Sequence, residues 1–175
     1  DNSHGLNPKE ILPNFVKWLV QAGILNDTKN KQITEVGKKL AESYIDMPDV
    51  VWQVIWINLT YNSPIAKWYK EAIDWGSQFT QADIEELLKS DYPEVSPKTA
   101  HNILYALFRT FRESPIGEMG QLISESKQHY KKECQTDLTN IAVAYSLYKY
   151  AEYKNIRSMR VTDIYASDNK AGIYK

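Results

Sequence analysis

Apolar residues are densest between residues 49 and 76, in the stretch DVVWQVIWINLTYNSPIAKWYKEAIDWG. Eight of the ten positions from Val50 to Leu59 are apolar, so no polar face is left for water. A helix that is hydrophobic all round is a buried helix. Asn62, Ser63 and Pro64 then interrupt the run, because proline lacks a backbone donor and disfavours a helical conformation at the residue before it. The pattern predicts a tryptophan-rich helical hairpin that forms a core shared by the segments on either side.

The segment before this hairpin begins with a helical pattern. Helical spacing runs from Pro8 to Ala22, and Gly23 is placed to end that helix as its C′ residue. Pro13 predicts either a kink or a helix that starts only near Asn14. The apolar stripe of this helix is expected to face the core and consists of Ile11, Leu12, Phe15, Trp18 and Leu19, with Val16 and Val20 flanking it.

A polar loop then joins two short apolar pieces, Ile24-Leu25 and Ile33-Thr34. Thr34 is a suitable N-cap for a second helix that extends to Ser43. This order of elements is typical of the recognition helix and wing of a winged-helix domain. An ordinary pair of helices joined by a long loop is the alternative interpretation.

Two further helices follow the hairpin. Thr80 and Asp83 have the spacing of a capping box, and Ser96-Pro97 begins a helix that runs to about Glu113. Two helices with a short polar connection predict a helix-turn-helix. The core stripe of the second helix is expected to consist of Ala100, Ile103, Leu104, Leu107, Phe108 and Phe111.

The remaining chain predicts a hairpin and a last helix. Residues from Leu122 to Cys134 are polar and weakly patterned, which favours a β-hairpin or wing. Leu138 to Lys154 has clear helical spacing. The residues that carry this pattern are Ile141, Val143, Ala144, Leu147, Tyr148 and Ala151.

These elements predict a mainly α fold, a helical bundle with winged-helix or helix-turn-helix elements and short β-hairpins. Three regions are expected. Residues 1–48 form a partial winged-helix-like module, and residues 49–76 form the core hairpin. Residues 77–175 form a second winged-helix-like module with a C-terminal helix.

Charge and composition narrow the possible partners and compartment. A net charge of −1 excludes a strongly basic protein, although a local basic face can occur within a neutral total. The single cysteine, Cys134, cannot form an internal disulfide, which favours a free thiol in a reducing cytoplasm. The longest apolar run, about ten residues, is too short to span a bilayer. We therefore expect a cytoplasmic protein without membrane contact.

Motifs that carry catalytic chemistry are missing from the sequence. Its glycines form neither a GxGxxG nor a GxxxxGKS phosphate loop, and no GxSxG elbow occurs. The three histidines, His4, His101 and His129, lie too far apart for the usual metal-ligand spacings. We therefore predict no catalytic residue, no metal ligand and no cofactor for this chain, whose sequence carries no catalytic motif. An enzymatic alternative is that Cys134 is redox-active.

Polar and basic residues on the outer faces of the predicted helices indicate nucleic-acid binding instead. Cations suit phosphates, and amide or guanidinium groups suit base edges. The main candidates share the outer face of the helix at residues 96–113 and are Lys98, His101, Asn102, Tyr105, Arg109 and Arg112. Further candidates are Lys127, Lys131 and Lys132 around the second predicted wing, and Lys17 and Gln21 on the first module. The alternative is that each is simply the solvated face of an amphipathic helix.

Several stretches resemble a known bacterial family. These are GLNPKEILPNFVKWLVQAGIL with QITEVGKKL, then MPDVVWQVIWINLTYNSPIAKWYKEAI, and finally FTQADIEELL with SPKTAHNILYALFRTF. They resemble the region C-terminal to the sulfurtransferase-like domain of some phosphoadenosine phosphosulfate (PAPS) reductase family proteins. They are also similar to helical domains encoded beside DNA phosphorothioation and phage-defence systems. The resemblance covers Leu6 to Glu118.

This resemblance implies an accessory role. The reductase family's catalytic parts are an SGGxDS-type phosphate loop and a cysteine in an ECG-type motif, whereas Cys134 lies in KKECQTD. No catalytic residue carries over. Asp1 in place of an initiator methionine fits a piece cut from a longer parent. We expect a non-catalytic accessory domain that binds duplex DNA. The alternative is a protein-interaction or scaffolding module that docks or dimerises the parent's catalytic domain.

Overall fold

The structure, a computed structural model, describes residues 8–126, 128–134 and 137–160. Helices make up most of this part of the chain, which confirms the predicted mainly α class. Two compact units can be distinguished: the first unit ends at Ser63 and the second unit begins at Pro64. This boundary falls inside the stretch 49–76, at the proline predicted to interrupt it.

The first unit contains three described helices: α1 (Pro8–Gln21), α2 (Glu35–Ser43) and α3 (Pro48–Asn62). Both α1 and α2 pack against α3. The prediction of a buried helix is confirmed, because every residue from Gln53 to Thr60 is buried in α3. Pro13 lies within α1, which continues through it as one helix.

Gly23 ends α1 as predicted. Its φ of +76° lies in the left-handed region, which a residue with a Cβ rarely adopts. The Ile24 amide donates to the Leu19 carbonyl at 2.9 Å, and the Gly23 amide donates to the Val20 carbonyl at 3.0 Å. These are the two hydrogen bonds of a Schellman motif, which satisfies carbonyls that the helix leaves unpaired at its end.

Two asparagines of α3 satisfy further carbonyls at the end of α1. The amide nitrogen of buried Asn58 donates to the Ala22 carbonyl at 2.9 Å, and that of Asn62 donates to the Gln21 carbonyl at 3.0 Å. The asparagines are four residues apart and so lie on one side of the helix. A polar side chain in an otherwise apolar helix is thereby explained by a hydrogen bond that joins α3 to α1.

The polar loop between α1 and α2 is closed at its base. Leu25 and Ile33 form a single antiparallel bridge, and the Asp27 carboxylate accepts from the Lys29 and Asn30 amides at 2.7 Å each. Thr34 caps α2 as predicted, since its hydroxyl oxygen accepts from the Gly37 amide at 2.8 Å.

The predicted inward stripe of α1 is wrong at two positions. Leu12 is 57% exposed and Phe15 is 54% exposed, whereas Val16 and Ala22 are buried. Helical spacing identifies which apolar residues of α1 lie on one side of the helix. It does not show that α3 covers only part of that side. The exposed pair leaves an apolar patch on the first unit.

The second unit contains the helices α4 (Pro64–Ala72), α5 (Gln81–Asp91), α6 (Pro97–Arg112) and α7 (Asn140–Lys154), with a π-helical turn at Gly117–Gln121. Local capping sets two of the helix starts, as predicted. Thr80 and Asp83 form a complete capping box at α5, and the Ser96 hydroxyl accepts from the Thr99 amide before Pro97 opens α6.

A small antiparallel sheet consists of β1 (Gln78–Thr80), β2 (Ile123–Ser126) and β3 (His129–Lys131), in the order β1-β3-β2. Phe79 pairs with Tyr130 at the centre of the β1–β3 register. The hairpin of β2 and β3 lies where the sequence predicts one. The short strand β1 is not predicted, because three residues carry no recognisable period and its partner lies about fifty residues later in the chain.

Tyr69 of α4 lies at the centre of the second unit's core. Its ring contacts Phe79, Phe108 and Phe111 at centroid distances of 6.4, 6.5 and 5.1 Å. Its hydroxyl donates to the carbonyl of Gln121. Burial raises the pKa of the Tyr69 hydroxyl, so the group remains a neutral donor. The predicted core stripe of α6 is confirmed in this region, with Ile103 half-buried and the other five residues buried.

The last predicted helix is confirmed as α7, but few of the residues that carry its pattern are buried. Ile141, Val143, Ala144 and Tyr148 are exposed, and Leu147 and Ala151 are half-buried. The buried residues are instead Ala142, Ser146 and Tyr150, at spacings of four. Apolar residues surround most of α7, so periodicity alone does not select the narrow stripe that packs.

We expect Trp56→Ala to lower the free energy of unfolding by about 3–5 kcal/mol, because the indole is 1% exposed and its removal leaves a cavity. Urea denaturation, with far-UV circular dichroism as the signal, measures this loss of unfolding free energy. Tyr44→Ala, at an exposed aromatic residue of the same unit, should change the unfolding free energy by less than about 0.5 kcal/mol. A loss below about 1 kcal/mol for Trp56→Ala would contradict its role in the core.

Candidate nucleic-acid interface

The outer face of α6 presents all six residues predicted for it. Lys98, His101, Asn102, Tyr105, Arg109 and Arg112 are each exposed. Five of them follow one another at spacings of four, three, four and three residues, which places them along one side of the helix. We call this set the α6 stripe: Lys98, Asn102, Tyr105, Arg109 and Arg112. The buried aromatic residues on the opposite side of α6 fix the direction in which the stripe faces.

The α6 stripe is basic, and three of its five side chains make no hydrogen bond or ion pair with other described residues. α6 carries three basic residues and no acidic residue. Within the described residues, Lys98, Asn102 and Arg112 make no hydrogen bond or ion pair. Arg109 donates from Nε to Glu113 at 2.9 Å, and this contact holds the pKa of its guanidinium above the usual value. Such an exposed pair is weak and leaves other guanidinium nitrogens for a ligand.

His101 is held differently, by α5. Its Nδ1 lies 2.7 Å from Glu85 Oε1, which also accepts from Gln81 Nε2 at 3.1 Å. Burial raises the pKa of Glu85, but the hydrogen bonds from His101 and Gln81 outweigh it and leave that pKa lowered. The His101 ring also stacks on Tyr105, with centroids 6.5 Å apart. The sequence does not predict the His101–Glu85 pair, because it depends on how α5 and α6 pack.

Lys132 requires a correction. The sequence predicts it as part of an exposed basic patch, but its side chain is only 1% exposed. Its Nζ donates to the Ile73 carbonyl at 2.6 Å and to the Tyr69 and Lys70 carbonyls at 3.4 Å each. These carbonyls belong to the last turn of α4 and the residue after it, where a cation is favoured by the helix dipole. Lys132 therefore caps α4 from within the core.

Two aromatic rings complete the surroundings of this ammonium group. Lys132 Nζ lies 4.9 Å from the centroid of Tyr69 and 4.6 Å from that of Trp75. Both distances are within the range of a cation–π contact. A buried lysine is tolerated when such contacts and hydrogen bonds replace its hydration.

The other predicted residues of the second wing give a limited surface. Lys131 is half-buried on β3, and its Nζ lies 2.7 Å from Glu133 Oε1. Lys127 lies outside the described residues. Among its described residues, the hairpin therefore offers exposed His129 and half-buried Lys131 as polar or basic side chains of β3.

The predicted residues of the first module belong to the first unit. Lys17 is exposed on α1, and Gln21 is half-buried at its end. Lys29 and Lys31 are exposed in the loop before α2. These residues therefore belong to a different compact unit from the α6 stripe.

Other kinds of site find no support among the described residues. No cluster of three or more histidine, cysteine, aspartate or glutamate side chains in residues 8–126, 128–134 and 137–160 could hold a metal ion. Across the same ranges, no helix is both long enough and apolar enough to cross a membrane. Cys134 is an exposed free thiol.

Comparison with known proteins adds no assignment: no protein-family model, curated protein or solved structure matches the chain. Among the described residues, the outer side of α6 is a basic helix face that presents ammonium, guanidinium, amide and phenol groups. In protein–DNA complexes, groups of these kinds contact phosphates and base edges.

We expect Lys132→Met to lower the free energy of unfolding by about 1–3 kcal/mol, because it leaves buried carbonyls at the end of α4 without their donor. Thermal denaturation measures this loss. Lys131→Met is the matched control and should change stability by less than about 0.5 kcal/mol. Unchanged stability in Lys132→Met would disprove the capping role.

Proposed function

We propose that the second unit is a winged-helix module that binds duplex DNA through α6. In this proposal the chain is a non-catalytic accessory domain of a bacterial PAPS reductase-like protein in the cytoplasm. The observation that carries the proposal is the α6 stripe, an exposed basic face whose lysine, asparagine and last arginine have no partner among the described residues.

The arrangement of elements supports this assignment. α4, β1, α5, α6, β2 and β3 follow one another along the chain, and the strands pair in the order β1-β3-β2. A winged-helix domain has this sequence of elements, with the third helix as recognition helix and the last hairpin as wing. A recognition helix of this kind lies in the major groove and contacts base edges there.

The dimensions of the stripe suit a major groove. Lys98 and Arg112 are fourteen residues apart, which corresponds to about 21 Å along a helix. The groove is about 12 Å wide, so the two ends of the stripe can reach phosphates on either side. Asn102 would then lie nearer the bases, where an amide pairs with the N6 and N7 atoms of adenine. Arg109 can contact either a phosphate or a guanine edge.

The resemblance of residues 6–118 supports the accessory role. Proteins of the PAPS reductase family and domains linked to DNA phosphorothioation act on sulfur chemistry or beside modified DNA. A domain that holds duplex DNA would position such a parent's active site. Lys17 and Gln21 of the first unit, with Lys131 of the hairpin, are proposed as secondary contacts.

We expect Arg109→Glu combined with Arg112→Glu to weaken duplex binding at least tenfold at low salt. The changes replace two attractive charges with two repulsive ones. The slope of log K against log salt should fall by about 0.9 for each lost phosphate contact. Fluorescence anisotropy with a labelled duplex, measured from about 50 to 200 mM salt, gives both quantities.

Lys38→Glu combined with Lys39→Glu is the matched control, because it makes the same charge change at two exposed positions of α2. Its effect on the duplex affinity should be less than twofold. Absence of binding by the wild-type protein, or equal losses in both double variants, would contradict the proposal.

A protein-docking role is the second candidate function, and the exposed apolar side chains of the first unit favour it. Leu12 and Phe15 lie three residues apart on α1, and Ile45 is 87% exposed beyond α2. An exposed apolar patch of this kind is typical of a protein interaction site. The proposed occupant is the catalytic domain of the parent protein.

We expect Leu12→Glu combined with Phe15→Glu to abolish capture of that catalytic domain in a pull-down while leaving duplex binding unchanged. Light scattering shows whether the wild-type chain also self-associates through the patch. Asn14→Glu on the same helix is the control and should not affect capture. If the wild-type chain is monomeric by light scattering and captures no catalytic domain in the pull-down, the docking function is contradicted.

A further inference from the structure

His101 borders the α6 stripe, and histidine is the side chain whose charge ordinarily changes between about pH 5 and 8. Its side chain is 55% exposed, and it lies three residues after Lys98 and four residues before Tyr105. Residues at these spacings are neighbours on a helix surface. The His101 ring stacks on that of Tyr105, with an angle of 22° between the two planes. His101 therefore lies at the edge of the proposed duplex site.

Glu85 of α5 determines which nitrogen of the His101 ring carries the hydrogen when the ring is neutral. Glu85 Oε1 lies 2.7 Å from His101 Nδ1 and accepts from Gln81 Nε2 at 3.1 Å. Because an ionised carboxylate can only accept hydrogen bonds, Nδ1 must be the nitrogen that carries the hydrogen. The neutral ring then has no hydrogen on Nε2, and Nε2 has no hydrogen-bond partner among the described residues.

The groups that face this pair keep the carboxylate ionised. Burial raises the pKa of Glu85, but the hydrogen bonds from His101 and Gln81, with the charges of His101 and Lys89, leave that pKa lowered. Glu85 therefore remains a carboxylate in the pH range in which a histidine titrates. The helix α4 and the π-helical turn also pack on α6, but no described side chain of either hydrogen-bonds, pairs or stacks with His101.

We propose that protonated His101 binds a backbone phosphate of the duplex, so that DNA binding at α6 is coupled to the uptake of one proton. This inference rests on the proposed function of α6. The proton comes from solvent and bonds to Nε2. The cationic ring then donates from Nδ1 to Glu85 and from Nε2 to a phosphate oxygen. A hydrogen bond from a cationic donor to a phosphate is stronger than one between neutral groups, whereas an unprotonated Nε2 offers the phosphate only a lone pair.

Protonation of His101 also changes the charge beside the α6 stripe. While the ring is neutral, the pair carries the negative charge of Glu85, which repels phosphates. Once the ring is protonated, the two charges of the pair cancel. Lys98 is three residues away, about 4.5 Å along the helix axis, so one stretch of DNA backbone can contact both side chains. The new donor and the cancelled charge act in the same direction, and duplex affinity should rise as the pH falls.

The test is fluorescence anisotropy of the full chain with a labelled duplex at about pH 5.5 and about pH 7.5, on either side of the usual histidine range. We expect wild type to bind about fivefold tighter at the lower pH. The slope of log K against log salt should steepen by about 0.9, as for one more phosphate contact. His101→Gln cannot take up the proton and should lose most of both changes. His101→Arg is cationic at both pH values and should bind at the higher pH as wild type binds at the lower.

His4→Gln and His129→Gln are the matched controls, because they remove the other two histidines of the chain and should keep the pH response. A second measurement needs no DNA. Nitrogen-15 NMR of the histidine rings in the free chain, at the higher pH, shows which ring nitrogen carries the hydrogen. We expect a hydrogen on Nδ1 of His101 and none on Nε2.

The outcomes separate this inference from the proposed function. If Arg109→Glu with Arg112→Glu weakens duplex binding but His101→Gln keeps the full pH response, the proton coupling is overturned and the α6 site stands. A neutral His101 ring with its hydrogen on Nε2 would also overturn the coupling, whatever the DNA affinity. A wild-type chain that binds no duplex at either pH would overturn both.

Discussion

The packing of Tyr69 is the constraint on which the second unit depends. Its ring meets Phe79 from β1 and two phenylalanines from α6, while its hydroxyl donates to the π-helical turn through Gln121. The ammonium of Lys132, which follows β3 directly, lies over the same ring. One buried side chain therefore contacts β1, α6, the π-helical turn and the residue that follows β3. The orientation of the α6 stripe follows from this, since Phe108 and Phe111 fix which side of α6 faces inward.

Features set by neighbouring residues could be predicted from the sequence. The caps at Thr34, Thr80 and Ser96 need only residues three positions apart, and Gly23 needs only its own freedom of φ. The buried helix α3 was predicted because an all-round apolar pattern leaves no alternative. The α6 stripe could be placed because α6 has a distinct polar side opposite its apolar stripe. In these elements the local signal and the packing agree.

Features set by distant residues could not be predicted. α1 and α7 have more apolar residues than the core covers, so which of them pack depends on partners elsewhere in the chain. Lys132 and its carbonyl acceptors in α4 are about sixty residues apart, and a lysine in sequence is most often a surface residue. The His101–Glu85 pair likewise depends on the crossing of two helices. For the α6 stripe the exposure of each residue could be predicted, but for Lys132 it could not, and the partners of the side chains could not be predicted for either.

The Lys132 contact also affects how the second unit opens. Its backbone amide donates to Ser77 beside β1, its carbonyl accepts from Gly76, and its side chain holds the end of α4. Fraying of the last turn of α4 and detachment of the end of β3 would each break the same group of bonds. The two events therefore belong to one cooperative unit with a shared opening free energy, as in a foldon. The slowly exchanging amides of α4 and of β3 would then exchange through the same local opening event and give the same opening free energy.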